Sequence, residues 1–341
     1  MSNEELELSA EWQDWVTDNA LQGATIAELI QALVEEGLEQ EFALAEVTRL
    51  LNSGPFRAAI KWRRQALRYK KVNSLKLALH RWHGPPQIER RHSLSLDNLR
   101  CFYLRAGQPV ILTDVLNQSP AISKWTDQYL KDKVGQLTVT CCRGRESAEN
   151  PCRDIKRFLT EMSFADFVDE IQETPETNDF YLVGNNNFIK QEGADILFRD
   201  IDRRLNRYLH KGMKPQYSSF WYGPKGTVTD LHYDPVCVLY GQFRGRKRFR
   251  LLSPYNAIAL LEAQGNYSPV DLDDAAQRMG DLVYDVVLHP GELLLLPAGW
   301  WHQVTALDVS ISIGFTNLFG ATSFPWYTPG DEGDENNMEF K

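Results

Sequence analysis

The sequence predicts a mainly β protein, a sandwich or barrel of short strands, preceded by an α-helical N-terminal region. Apolar residues repeat at helical spacing within 26–34, whereas after about residue 216 short apolar stretches alternate with turns that contain Gly or Pro. Within 242–252, alternate residues separate into an apolar side and an arginine side, as in a strand buried on one face. With 341 residues, 43% of them hydrophobic, the chain can bury a sizeable core in one large domain with an appendage, or in two domains.

Composition excludes several classes of protein. The net charge of -9 argues against a general polyanion binder. No apolar run reaches the roughly 18 residues of a membrane helix, and the acidic start Met-Ser-Asn-Glu-Glu does not have the order of a signal peptide. We therefore expect a cytoplasmic protein without a membrane segment. The five cysteines are odd in number and form no Cys-x-x-Cys pair, so we expect reduced thiols and no structural zinc site.

The N-terminal region, 1–82, is predicted to be helical. Thr25 and Glu28 form a capping-box pattern before the first periodic run, which stops at Gly37. A second helix is predicted for 39–51, and a third begins at Pro55. This third helix contains the most basic part of the chain. A solvated helix face is the simpler interpretation of that basic run, and a partner-binding surface is the alternative.

The remaining chain divides into three predicted segments. Residues 83–99, with a Gly-Pro-Pro step, are expected to be a linker. The main domain is expected over 100–327, and the acidic tail over 328–341 is expected to be disordered. Short strands are predicted at 109–112, 137–141, 179–183, 293–296 and 309–315. Ser163 is predicted to begin an amphipathic helix.

A possible metal site is visible around residue 232. His232 and Asp234 are two positions apart in a segment that resembles a strand, so their side chains are expected on one face. His302, in Leu-Pro-Ala-Gly-Trp-Trp-His, is the best candidate for a third ligand. Two histidines and one carboxylate, with coordination positions left open, are the ligand set of non-haem Fe(II) oxygenases.

Lys247 is a single cation on the apolar side of 242–252. A buried ammonium without a partner is costly. We therefore expect Lys247 to meet an anion inside the protein, either an acidic side chain or a bound ligand.

These motifs together resemble the JmjC and cupin-like family of Fe(II)- and 2-oxoglutarate-dependent oxygenases, over about 100–320. The nearest subgroup is similar to protein hydroxylases of the type of the asparaginyl hydroxylase that inhibits hypoxia-inducible factor. The residues that carry the resemblance are Gln108-Pro-Val-Ile111, Ser163-Phe-Ala-Asp-Phe167, Phe180-Tyr-Leu182, Gly226 through Asp234, Gly245-Arg-Lys-Arg248 and Pro290-Gly-Glu-Leu-Leu-Leu-Leu-Pro-Ala-Gly-Trp-Trp-His302.

The resemblance implies a cupin-like double-stranded β-helix, which is a jelly roll of two antiparallel sheets. It also implies specific roles for residues. His232, Asp234 and His302 would bind Fe(II) and form the catalytic centre, with 2-oxoglutarate and O2 as cosubstrates. The residues expected to bind 2-oxoglutarate are Lys247, at its distal carboxylate, Thr229, which supports the same carboxylate, and Tyr181.

Two positions depart from the asparaginyl hydroxylase pattern. Val238 and Gly314 stand where that enzyme type has asparagines near the cosubstrate. Asn317 would replace the second asparagine only in a different strand register. The metal ligands and Lys247 are retained, so these departures affect the geometry around the cosubstrate and the choice of substrate.

The leading functional prediction is an oxygenase that hydroxylates a side chain of a protein or peptide. A second hypothesis keeps the chemistry and changes the substrate to tRNA, another RNA or a small metabolite, because the basic helix and the arginines at 244–250 could contact RNA. A third hypothesis is a non-catalytic cupin-like scaffold. Helices within 1–82 are candidates for a homodimer interface.

Overall fold

The structure, a computed structural model, describes residues 7–81, 87–148, 151–152, 154–256, 265–279 and 281–319. The chain divides into two compact units between Leu79 and His80.

The first unit is helical, as predicted. Its helices are α1 (Ala10–Gln22), α2 (Ile26–Glu35), α3 (Gln40–Leu51) and α4 (Gly54–Arg81), whose last two residues lie past the division between the units. The Thr25 hydroxyl accepts from the Glu28 backbone N–H, and the Glu28 carboxylate accepts from the Thr25 N–H, so the predicted capping box is present. Helices α1 to α3 enclose a small apolar core around Val16, Leu33 and Val47.

The second unit is a cupin-like β fold with short helices, which confirms the predicted fold class. Its strands are β1 (Glu89–Arg91), β2 (Val110–Leu112), β3 (Thr138–Cys142), β4 (Leu159–Ser163), β5 (Ser218–Gly223), β6 (Val228–His232), β7 (Val238–Arg244), β8 (Lys247–Leu252), β9 (Tyr284–Leu288), β10 (Leu293–Leu296), β11 (Trp301–Ala306) and β12 (Ser310–Phe315). The helices are α5 (Leu96–Asn98), which continues into a π-helical turn, α6 (Ala121–Lys124), α7 (Asp127–Val134), α8 (Phe164–Glu173) and α9 (Leu272–Met279).

Two sheets build the jelly roll. The larger has the order β1-β2-β10-β7-β12-β5, and the smaller has the order β6-β11-β8-β9. All neighbouring strands are antiparallel except β1 and β2. Apolar side chains from both sheets, among them Tyr240 and Leu294 of the larger and Phe249 and Val304 of the smaller, form one core between them. The sheets therefore pack face to face, as in a β-sandwich.

The structure differs from the sequence-based expectation at 83–99 and at 179–183. The expected linker 83–99 contains β1, which pairs in parallel with β2. All three β1 side chains are exposed, so the segment has no apolar alternation that would indicate a strand. The expected strand at 179–183 forms only isolated bridges, from Tyr181 to Cys142 and from Leu182 to Tyr222. The tail 328–341 lies outside the described residues.

Within the described ranges, no helix combines the length and the apolar character that a membrane-crossing segment requires. The cytoplasmic location and the homodimer through the N-terminal helices stay predictions.

Candidate active site

The two histidines of the predicted metal site face each other across neighbouring strands. His232 ends β6 and is the register partner of His302 in β11, and their ring centroids are 4.0 Å apart. Asp234 lies two residues beyond the end of β6, where its backbone carbonyl accepts from the Gly299 N–H at 2.9 Å. Its carboxylate Oδ2 is 3.8 Å from His302 Nε2. Although the strand stops earlier than predicted, the three side chains converge.

Hydrogen bonds select the tautomer of both histidines. Nδ1 of His232 lies 2.8 Å from the Asp230 carbonyl oxygen, and Nδ1 of His302 lies 2.9 Å from the Trp300 carbonyl oxygen. A carbonyl oxygen can only accept, so each Nδ1 carries the proton and donates it. Nε2 of each ring therefore keeps its lone pair, which is the form that binds a metal.

The local electrostatics favour a metal as the missing partner. Burial and the neighbouring His232 hold the pKa of His302 well below its usual value, which keeps the imidazole neutral. Burial raises the pKa of Asp234, although 34% of its side chain faces the cavity. A bound cation would reverse that rise. The ligand atoms of His232, Asp234 and His302 all lie within 4.8 Å of one another, so this donor set fits a transition metal.

A cavity of about 240 Å³ opens onto these three residues. Thr229, Val238 and Gly314 line it, each on a different strand. Asn317 is not part of the lining, because its side-chain amide donates to the carbonyl oxygens of His210 and Gly212 at 2.7 and 2.9 Å. Gly314, and not Asn317, therefore occupies the last-strand position beside the cavity.

Lys247 is buried beside this cavity with only 1% of its surface exposed. Its Nζ donates to the hydroxyl oxygens of Tyr240 at 3.0 Å and Tyr181 at 3.3 Å. Burial lowers the pKa of Lys247 to about 7. Throughout the described part of the chain, no carboxylate forms an ion pair with Lys247. A negatively charged ligand would supply the missing charge.

The other two predicted cosubstrate residues lie in the same region. Tyr181 is buried, and its hydroxyl contacts Lys247. Burial raises the pKa of Tyr181, and a hydrogen bond with Thr229 opposes part of that rise. Thr229 is a buried residue of β6, three positions before His232. Four of the six predicted site residues therefore line the cavity, namely Thr229, His232, Asp234 and His302. Lys247 and Tyr181 do not line it, but they contact each other, and Lys247 contacts the lining residue Tyr240. The roles of all six as iron ligands and cosubstrate contacts stay predictions.

Sequence reasoning missed three aromatic residues of the cavity wall: Trp221, Tyr240 and Tyr267. Tyr240 was detectable, because it shares the inward face of β7 with Val238. Tyr267 lies outside the named strands, yet it pairs with His232 in an isolated bridge, and the two rings stack with centroids 5.3 Å apart and planes inclined by 22°. No sequence pattern indicated this contact.

Trp221 explains two glycines. A Cβ atom at Gly184 would lie 2.3 Å from the Trp221 ring, and one at Gly314 would lie 3.0 Å from it. The indole therefore excludes a side chain at Gly184 unless the ring moves. At Gly314 a methyl group would require the ring or Val238 to shift by a few tenths of an ångström, so both glycines let the indole form part of the cavity wall.

The arginines on the opposite side of 242–252 are paired with acidic side chains. Each one forms an ion pair with an aspartate. The pairs are Arg244 with Asp127, Arg246 with Asp308, Arg248 with Asp285 and Arg250 with Asp273. Because these charges are already neutralised, the arginine row is a poor surface for RNA.

Comparison with known proteins gives a consistent result. A family model described as Cupin-like domain matches residues 97–317. The chain is 32% identical over 248 residues to Lysine-specific demethylase JMJ30 of Arabidopsis thaliana, covering 67% of this chain and 54% of the relative. It is 28% identical over 245 residues to Lysine-specific demethylase 8 of Xenopus tropicalis, covering 67% and 52%.

A further relative, tRNA wybutosine-synthesizing protein 5 of Danio rerio, is 25% identical over 212 residues, covering 57% of this chain and 64% of the relative. The chain spans about half the length of the two demethylases that it matches. The closer grouping with asparaginyl hydroxylases stays a prediction. Since the matched domain occupies more than half of the chain, the protein belongs to the cupin-like JmjC family of Fe(II)- and 2-oxoglutarate-dependent oxygenases, which use O2 as the second cosubstrate.

Proposed function

We propose that this protein is an Fe(II)- and 2-oxoglutarate-dependent oxygenase that hydroxylates a side chain of a protein or peptide. The observation that carries the proposal is a two-histidine, one-carboxylate cluster that lines the cavity, together with a buried lysine that contacts the lining residue Tyr240 and has no carboxylate partner among the described residues. The first feature suits Fe(II), and the second suits a carboxylate of the cosubstrate.

His232, Asp234 and His302 would hold the iron. When bound, the iron together with 2-oxoglutarate and O2 supplies the oxidation of an unactivated C–H bond. The chain contributes the placement of these ligands. The backbone carbonyls of Asp230 and Trp300 fix the imidazole orientations, so the two Nε2 atoms point inward without further rearrangement.

Lys247 would bind the distal carboxylate of 2-oxoglutarate, with Tyr181 and Thr229 beside it. Inside a low-dielectric site, such a charge-assisted hydrogen bond is stronger than in water. Apolar side chains from three strands complete the cavity wall, namely Phe249, Leu296 and Val304. They limit the access of water to the reacting groups.

A protein target is favoured by the relatives. Two of them are named lysine-specific demethylases, which supports an amino-acid side chain as the group that enters the cavity. This comparison applies only to the matched domain, because the match covers about half of each relative. A non-catalytic scaffold is disfavoured, because the complete ligand cluster and Lys247 are both retained.

RNA is the second candidate substrate, and two observations favour it. One relative is named a tRNA wybutosine-synthesizing protein. Helix α4 has seven Lys or Arg residues within 57–71 and no acidic residue, and every described side chain from 61 to 79 is exposed. The paired arginines of 244–250 do not contribute to such a surface.

The test begins with anaerobic reconstitution with Fe(II), followed by addition of O2 and measurement of 2-oxoglutarate consumption. Candidate peptides and RNAs are then analysed by mass spectrometry for the gain of one oxygen atom. We expect the gain in peptides. A gain confined to RNA would replace the protein substrate, and an inability to bind 2-oxoglutarate would refute the oxygenase proposal.

A further inference from the structure

Arg145 is a second buried cation near the candidate cosubstrate site. Only 1% of its surface is exposed. Its Nη1 donates to the backbone and side-chain oxygens of Asn178 at 3.3 and 3.1 Å, and its Nη2 donates to the Val228 carbonyl oxygen at 2.8 Å and contacts Cys152 Sγ at 3.3 Å. No described residue accepts a hydrogen bond from its Nε. Its direct partners are neutral, and over the described ranges no carboxylate forms an ion pair with Arg145. The carboxylates of Asp179 and Asp230 accept instead from neighbouring backbone N–H groups, those of Gly144, Glu146 and Cys152.

Arg145 and Lys247 contact the same tyrosine. The guanidinium carbon of Arg145 is 5.3 Å from the centre of the Tyr181 ring, and Lys247 Nζ is 5.6 Å from that centre. Lys247 also donates to the Tyr181 hydroxyl. Two buried positive charges therefore lie against one aromatic ring. Placing two cations together in a protein interior is unfavourable unless an anion compensates them.

Arg145 also braces the strand that carries Thr229. It donates to the Val228 carbonyl oxygen, while the Val228 N–H donates to Asn178 Oδ1 at 2.8 Å. Val228 directly precedes Thr229 in β6. The guanidinium thus links the positions of Tyr181 and Thr229, the two residues expected beside Lys247.

We propose that Arg145 is a positioning residue that makes the site selective for a 2-oxoacid with a second, distal carboxylate. It contacts no reacting atom. It acts by holding Tyr181 and by adding positive potential at the Tyr181 ring, which Lys247 also contacts, and this potential favours a dianion over a monoanion. This inference rests on the proposed function, because it assumes that the distal carboxylate of 2-oxoglutarate binds at Lys247.

The experiment compares two ligands that differ only at the distal end. 2-Oxoglutarate carries a carboxylate there, whereas 2-oxopentanoate carries a methyl group on the same five-carbon chain. Dissociation constants are measured by anaerobic calorimetry on the Fe(II)-loaded protein, without turnover. A unit charge on the order of 10 Å from an anion, at an effective dielectric constant of about 20, changes the binding constant roughly tenfold.

The variants separate charge from packing. Arg145→Met and Arg145→Gln remove the charge, and Arg145→Gln keeps a donor for the Val228 carbonyl. Both variants should bind 2-oxoglutarate about tenfold more weakly, and their affinity for 2-oxopentanoate should change by no more than about twofold. Arg145→Lys should keep most of the preference for the dianion. As a matched control, Arg143→Met removes a neighbouring arginine that is paired with Glu170 on the surface, and it should leave both constants unchanged.

An equal loss of affinity for both ligands, or unchanged 2-oxoglutarate binding in the neutral variants, would overturn the inference. If neither neutral variant folds, Arg145→Lys decides the question. If this variant still prefers 2-oxoglutarate over 2-oxopentanoate, the role of charge is supported, and if the preference is lost, that role is contradicted. Failure of the unsubstituted protein to bind 2-oxoglutarate refutes the proposed function instead, so the two failures are distinguishable.

Discussion

Lys247 Nζ lies 3.0 Å from the hydroxyl oxygen of Tyr240, a residue that lines the cavity beside the histidine and aspartate cluster. Neither this hydroxyl nor that of Tyr181 carries a charge that compensates the ammonium. The site therefore retains an uncompensated cation at the cost of some stability, a common property of binding sites.

Replacing Lys247 with Met should separate stability from binding. Met has a side chain of similar length but no charge. We therefore expect a melting temperature higher by several degrees and a loss of 2-oxoglutarate affinity of at least about tenfold. Thermal melting and anaerobic calorimetry measure the two effects. Lys225→Met, which removes a surface lysine paired with Glu176, is the control and should change neither.

The gain in stability of Lys247→Met over the unsubstituted protein should decrease as pH rises. Burial lowers the pKa of Lys247 from 10.5 to about 7 in the folded protein. The unfolded chain therefore binds more protons between these two values, and the penalty of burying Lys247 is complete below about pH 7 and disappears towards 10.5. The advantage of Lys247→Met should be largest at or below neutral pH and shrink as pH rises. A gain that is constant with pH would contradict this.

Cosubstrate affinity should also fall with increasing pH. An anion binds the protonated form of Lys247, so binding above about pH 7 requires uptake of a proton and should weaken by up to about tenfold per pH unit. In Lys247→Arg the guanidinium stays protonated, and this part of the pH dependence should disappear. Calorimetric titrations across pH 6 to 9, roughly the range around neutrality, measure both. Identical pH profiles for the two proteins would exclude Lys247 as the titrating group.

Gly314 should be required by the Trp221 ring. A Cβ atom at 314 would lie 3.0 Å from that ring and 3.1 Å from a methyl group of Val238, so Gly314→Ala should lower the melting temperature and weaken 2-oxoglutarate binding severalfold. Adding Trp221→Phe creates space for the methyl group and should restore part of both properties. If the effects of the two substitutions on the free energy of unfolding are additive, the contact with Trp221 does not explain why residue 314 is glycine.

The stack of Tyr267 on His232 should help to hold that imidazole. Loss of the ring in Tyr267→Ala is expected to weaken metal binding severalfold, while Tyr267→Phe keeps the stack and should bind normally. Co(II) titration followed by absorbance reports the affinity independently of turnover. Equal metal affinity in the two variants would show that the ring has no such role.

The chemically specific residues of this site were predictable, and their surroundings were not. His232, Asp234 and Lys247 are recognisable because strand alternation fixes which residues share a face, and a polar residue on an apolar face requires a partner. Strand β1 was missed, because it is a short, fully exposed edge strand whose residues carry no burial pattern. Its pairing depends on β2, about twenty positions further along the chain.

Arg145 and Tyr267 illustrate a second reason why the surroundings of the site could not be predicted from the sequence. Both residues lie outside the long strands, and their importance comes from contacts with Tyr181 and His232 that only the folded chain creates. Sequence spacing carries no information about such tertiary neighbours. The sequence predicted an anion beside Lys247, either an acidic side chain or a bound ligand, and no acidic side chain in the described ranges pairs with it.

The central claim is that His232, Asp234 and His302 form an iron site that drives 2-oxoglutarate turnover. The most direct measurement is O2-dependent consumption of 2-oxoglutarate by the Fe(II)-reconstituted protein, compared with Asp234→Ala. Asp285→Asn is the control, because the Asp285 carboxylate pairs with Arg248 on the exposed side of the sheet and does not line the cavity. We predict turnover in the unsubstituted protein and the control, and none in Asp234→Ala. Unchanged turnover in Asp234→Ala would contradict the assignment.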